Sequence, residues 1–106
     1  MNEVLLVFCN VPDARTARQI ATKLLESRLA ACVNIGASCE SIYRWRGALE
    51  DAVEFPLVIK TVRSRYAHVE ALICAHHPHE VPEIIAIPVD RGLPAYMDWV
   101  AGQTAE

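Results

Sequence analysis

At 106 residues the chain is the length of one domain. Roughly two-thirds of its unfolded surface can be buried at that size, so a core forms without disulfide or metal staples. The net charge of −3 carries no Lys/Arg run, which argues against a nucleic-acid surface. No apolar stretch approaches the ~20 residues of a membrane span. The 53% hydrophobic content is high for a small monomer and points to apolar surface buried between subunits.

Val4-Leu5-Leu6-Val7-Phe8-Cys9 is a continuous apolar run and predicts a central strand buried on both faces. Asp13 is a good helix N-cap, and Ala17, Ile20, Ala21, Leu24 and Leu25 recur at the spacing of an amphipathic helix. That helix is expected to end near Arg28, whose charge suits the terminal dipole. Ala31 to Ile35 begins a second strand, broken by Gly36. Ser41 to Trp45 continues it, Arg46-Gly47 reads as a tight turn, and the chain returns from Val53 to Thr61. Pro56 in that return marks an edge or a bulge. Together these segments predict one unusually long hairpin, marginal alone in water, whose Tyr43 and Trp45 pack best against neighbouring subunits.

Ser64 is expected to cap a second helix that carries Tyr66, Val69, Leu72, Ile73 and His76 on one face and stops at Pro78. Glu83 to Val89 is the last strand. Pro94 to Val100 forms a terminal helix with Tyr96, Trp99 and Val100 facing inward, and the tail from Gly102 is expected to fray. The whole of residues 1–106 is thus one α+β domain of order β-α-β-β-α-β plus a short helix, the ferredoxin-like arrangement. Right-handed crossovers place strand one beside the returning hairpin strand and the last strand.

The densest chemistry lies in His76-His77-Pro78-His79-Glu80-Val81-Pro82-Glu83, which holds most of the chain's imidazoles. Imidazole is a common metal ligand and titrates near neutral pH, and the plain alternative is a cation at a helix C-terminus. Strand one and the second helix end at the same edge of the sheet in this topology, bringing Cys9 towards His76 and His77, with Glu80 and Glu83 close by. A thiolate with imidazoles suits copper, zinc or another thiophilic ion and not magnesium or calcium. No C-x-x-C pair occurs among the four cysteines, so free thiols are expected, mostly buried as small hydrophobes. No signal-like segment precedes the first strand, and a cytoplasmic location is expected. No nucleophile triad, phosphate loop or H-E-x-x-H motif is present, so an enzyme is not expected. Glu50, Asp51 and Glu54 are expected to pair with Arg44 and Arg46 across the hairpin or between subunits.

Taken together, Ala30-Ala31-Cys32-Val33-Asn34-Ile35, Ser41-Ile42-Tyr43-Arg44-Trp45-x-Gly47, Leu57-Val58-Ile59-Lys60-Thr61 and His77-Pro78-x-Glu80-Val81-Pro82-Glu83-Ile84-Ile85-Ala86 resemble the CutA divalent-cation tolerance family, and Tyr96-x-x-Trp99 fits as well. The resemblance covers nearly the whole chain. It implies a homotrimer interlocked through the long hairpins, similar in shape to the PII signalling proteins, and binding of Cu2+ or another divalent ion. The ligands it implies are Cys9, His76 and His77. His79 stands where the family often has tyrosine, which extends the metal site or removes a hydroxyl. The PII-like shape carries an alternative, a signalling module that takes a small anion in clefts between subunits near Lys60.

Overall fold

The computed structural model describes residues 3–105. Its elements are β1 (Val4–Val11), α1 (Ala14–Glu26), β2 (Cys32–Ile35), β3 (Cys39–Trp45), β4 (Ala48–Val62), α2 (Tyr66–His76), β5 (Ile84–Pro88) and α3 (Pro94–Gln103). All pairings in the sheet are antiparallel, in the order β2-β4-β1-β5, with β3 on the outer half of β4. β1 therefore lies between the returning hairpin strand and the last strand.

The long strand β4 organises the molecule. Its 15 residues pair with β3 over Ala48 to Glu54, with β1 from Phe55 and with β2 from Leu57. Pro56 falls at the handover, between the Cys39↔Glu54 and Ile35↔Leu57 pairs, where its missing N–H costs no ladder bond to β2 or β3. Gly36 meets it there. The Gly36 N–H donates to the Pro56 carbonyl at 2.9 Å, and a Cβ at Gly36 would lie 2.9 Å from the Pro56 ring. The expected single hairpin is thus two ladders hinged at Gly36 and Pro56. At the far end Arg46 and Gly47 both adopt positive φ, 51° and 81°, a two-residue turn that suits the twist of the ribbon.

One face of the sheet is the core. Val7, Cys9, Val11, Leu57 and Ile59 pack under Ala17, Ile20 and Leu24 of α1 and Val69 and Ile73 of α2. On the other face α3 covers only one end, where Val100 packs on Val4 and Val62. Among the described residues, none forms a layer over the remainder of that face, which includes Leu6, Phe8, Val58, Ile85 and Ile87. Ile85 is 56% and Ile87 48% exposed.

Several local expectations change. Asp13 does cap α1, its carboxylate accepting from the Thr16 N–H at 2.7 Å. The helix ends by backbone geometry and not by charge: Arg28 is left-handed (φ 59°), and the N–H groups of Arg28 and Leu29 bond the carbonyls of Leu25 and Leu24. Ser64 does not cap α2; it sits in a 3-10 turn, Arg63–Arg65, that leads into the helix. Tyr96 and Trp99 are largely exposed, with ring centroids 5.6 Å apart, and only Val100 of the three turns inward. The tail does not fray at Gly102, because Thr104 is buried and its hydroxyl donates to the Val100 carbonyl at 2.9 Å. Arg28 and Arg65 reach the Gly102 and Thr104 carbonyls, placing two cations at the C-terminus of α3.

Candidate metal site at the β1 and α2 edge

β1 and α2 finish at the same edge of the sheet, and the side chains there interlock. His77 follows the last turn of α2, with its backbone N–H bonded to the Ile73 carbonyl at 2.8 Å. Only 8% exposed, its ring reaches β1, where Nε2 lies 2.7 Å from the Asn10 carbonyl. The other nitrogen, Nδ1, accepts the His79 N–H at 3.0 Å. An accepting Nδ1 bears no proton, so the imidazole is the neutral Nε2–H tautomer and donates to Asn10. That carbonyl faces the β5 side and is free to accept because Asn10 lies beyond the last β1–β5 pair, Cys9↔Ile84. The Asn10 side-chain amide donates in turn to Glu83 at 3.3 Å. Asn10 therefore holds both ends of the loop between α2 and β5. The His79 ring stacks obliquely on His77, 4.8 Å between centroids.

Cys9 is fully buried on the helix-covered face, and its thiol points at the same Asn10 carbonyl, 3.8 Å away. The sulfur and His77 Nε2 share one acceptor, so they are separated by no more than the sum of those two distances. Burial first, then the carboxylates of Glu83 and Glu54, push the Cys9 thiol up to about 12. It is a thiol and not a thiolate at neutral pH. His76 is half-buried at the last position of α2. Cys9 and His77 thus come together, with His76 next in the chain to His77. Among the described residues no three His, Cys, Asp or Glu side chains are gathered tightly enough to hold an ion as they stand.

Beside this edge an open groove of about 710 Å³ runs between the β3–β4 ribbon and the loop after α2. Its walls include Tyr43, Trp45, His79, Glu54, Glu80 and Glu83. Arg46 crosses it: the guanidinium is 2.6 Å from Glu80 and 5.2 Å from the centre of the Trp45 ring. Arg46 thus pairs with the loop and not with the acidic arm of its own hairpin. Among the described residues, no ion pair joins Glu50, Asp51 or Glu54 to Arg44 or Arg46. Glu83 accepts from the Asn10 amide. Among the thiols only Cys9 is fully buried; Cys32 is half-buried, and Cys39 and Cys74, expected in the packing, are exposed. Asn10 escaped the sequence reading. Its only signal is a polar side chain closing an apolar strand opposite a proline.

The antiparallel sheet, with α1 and α2 on one face and α3 over one end of the other, defines a small α+β protein. A family model described as CutA1 divalent ion tolerance protein matches residues 5–103. The chain belongs to this family. It is 42% identical over 104 residues to a divalent-cation tolerance protein CutA of Thermus thermophilus, covering 98% of this chain and 99% of that one. Vertebrate relatives are longer, and the chain spans 52% to 64% of their length. Among solved structures it is similar to CutA1 from Shewanella sp. SIB1, with a TM-score of 0.95 at 42% identity over 99% of this chain and 98% of that chain. It is also similar to a protein of Archaeoglobus fulgidus described as a periplasmic divalent cation tolerance protein CutA, with a TM-score of 0.93 at 36% identity over 96% and 99% of the two chains. No helix among the described residues is long and apolar enough to cross a membrane.

Proposed function

We propose that the protein is a cytoplasmic, homotrimeric divalent-cation binder without enzymatic activity, which takes Cu2+, or Zn2+ in its place, through Cys9, His76 and His77. The observation that carries this reading is the convergence of the Cys9 sulfur and His77 Nε2 on one backbone carbonyl. A thiol and an imidazole at such close range are the donor chemistry that copper and zinc select. The metal-free geometry sets the cost. Cys9 must give up its proton against burial, and His77 must release Asn10 or His79 to expose a nitrogen. Ion binding therefore releases protons and weakens as pH falls.

The trimer is supported by the ferredoxin-like order of the elements, by the uncovered face of the sheet and by the projecting ribbon. Ile42, Leu49 and Val53 on that ribbon are 67%, 71% and 61% exposed, apolar area that a PII-like interlocking of hairpins would bury. The groove beside the site does not favour a small anion, since its Arg46 is already paired with Glu80 and three carboxylates line it.

Isothermal titration with Cu2+ tests the site. The expected result is loss of the tightest binding event in both Cys9→Ala and His76→Ala/His77→Ala, with weak capture by exposed His68 and His79 retained. Unchanged stoichiometry and affinity in both variants would overturn the assignment.

A further inference from the structure

The uncovered face of the sheet carries a polar group that the metal reading does not use. Cys32 on β2 and Lys60 on β4 are direct cross-strand partners. Their side chains stand on the face opposite Cys9, because Ile59 and Thr61, the neighbours of Lys60, are buried beneath the helices while Lys60 is not. Lys60 Nζ lies 3.9 Å from Cys32 Sγ and also donates to Asn34 Oδ1. Among the described residues no carboxylate pairs with Lys60. The amine is thus held against the sulfur by an amide oxygen and by strand register, and no salt bridge draws it away. In the single chain the thiol is half-buried, and the proposed trimer would cover this face further, so the oxidant that suits it is hydrogen peroxide, little larger than water, and not a bulky one.

We infer that Cys32 and Lys60 form a reversible oxidative cross-link, a sulfenamide that ties β2 to β4 in response to peroxide. In the first step hydrogen peroxide oxidises the Cys32 thiol by two electrons. The peroxide O–O bond breaks, an S–O bond forms, and one water leaves with the sulfenic acid. In the second step the uncharged Lys60 amine, having lost its ammonium proton to solvent, attacks the sulfur. An S–N bond forms, the S–O bond breaks, and the hydroxyl departs with an amine hydrogen as a second water. No further oxidant is consumed. Thiol reductants reverse the product by attack on the sulfur, returning the amine. The cross-link removes one positive charge from the face and frees Asn34, so it makes that surface more apolar.

Mass spectrometry on the assembled protein tests this in a Cys39→Ser/Cys74→Ser background, where Cys9 is shielded by full burial. After treatment with hydrogen peroxide, the expected product is lighter than the starting chain by two hydrogens. It releases a proteolytic peptide pair joining Cys32 to Lys60, and it reverts with dithiothreitol. The product is expected to be lost in Cys32→Ser and in Lys60→Arg, which keeps the charge without the lysine amine; circular dichroism and chromatography verify that both variants remain folded. Three results would each overturn the inference: an inert Cys32, conversion of Cys32 only to its sulfinic or sulfonic acid, or the same product in Lys60→Arg.

Discussion

Cys9 and His77 are defined by what surrounds them. The Cys9 thiol sits among Val7, Leu57 and Ile73 with no exposed surface, and burial more than any charge holds the proton on. At pH 8 alkylation of the native protein with iodoacetamide is therefore expected to modify exposed Cys39 and Cys74 rapidly and to spare Cys9 until the chain unfolds; equal labelling of Cys9 would contradict the burial. The sign of the linkage follows. A thiol raised from 9.0 to about 12 contributes its full stability below pH 9, and that contribution is lost as pH climbs from there towards 12. His77 shows why a ligand reading from sequence is incomplete. Its position at the end of α2 was legible from Pro78. Its bond to Asn10 was not, because that bond depends on where the β1–β5 ladder ends and leaves one β1 carbonyl without a strand partner.

At the scale of elements, α1 carries its own start and stop. Asp13 is held below its ordinary carboxyl range by hydrogen bonds from Thr16, backbone first. Its capping contribution is present at neutral pH and above, and it is lost as pH falls through that lowered value. Asp13→Ala is expected to lower the denaturation midpoint at pH 7 and to cost nothing once the native carboxyl is protonated; a pH-independent difference would rule out the cap. The stripe of α1 was legible because a surface helix repeats its apolar positions, and the cap because carboxylates compete for free N–H groups. The stop near Arg28 was legible in place but not in cause, since a left-handed arginine leaves no trace in composition. The long ribbon was legible as a hairpin, but its division at Gly36 and Pro56 depends on their close approach across strands.

At the scale of the whole molecule, the extents of 45 × 26 × 23 Å describe a compact body with a projecting ribbon. The uncovered sheet face presents Ile85 and Ile87 on the outermost strand β5. Ile85→Asp/Ile87→Asp is expected to convert the proposed trimer into the 11.8 kDa monomer on sedimentation, while far-ultraviolet circular dichroism stays unchanged. An unaltered trimer would place the interface elsewhere. Such a surface was foreshadowed by the hydrophobic excess of the composition, though the composition could not say that it lies opposite the helices.

The metal reading depends on a thiol and imidazoles meeting where β1 and α2 end. The most direct measurement is anomalous scattering from crystals grown with limiting Cu2+. One ordered ion per chain is expected, bonded to the Cys9 sulfur and to imidazole nitrogen of His76 and His77, with His77 having released Asn10 or His79. An ion found only on His68 or His79, with both His77 hydrogen bonds intact, would contradict it.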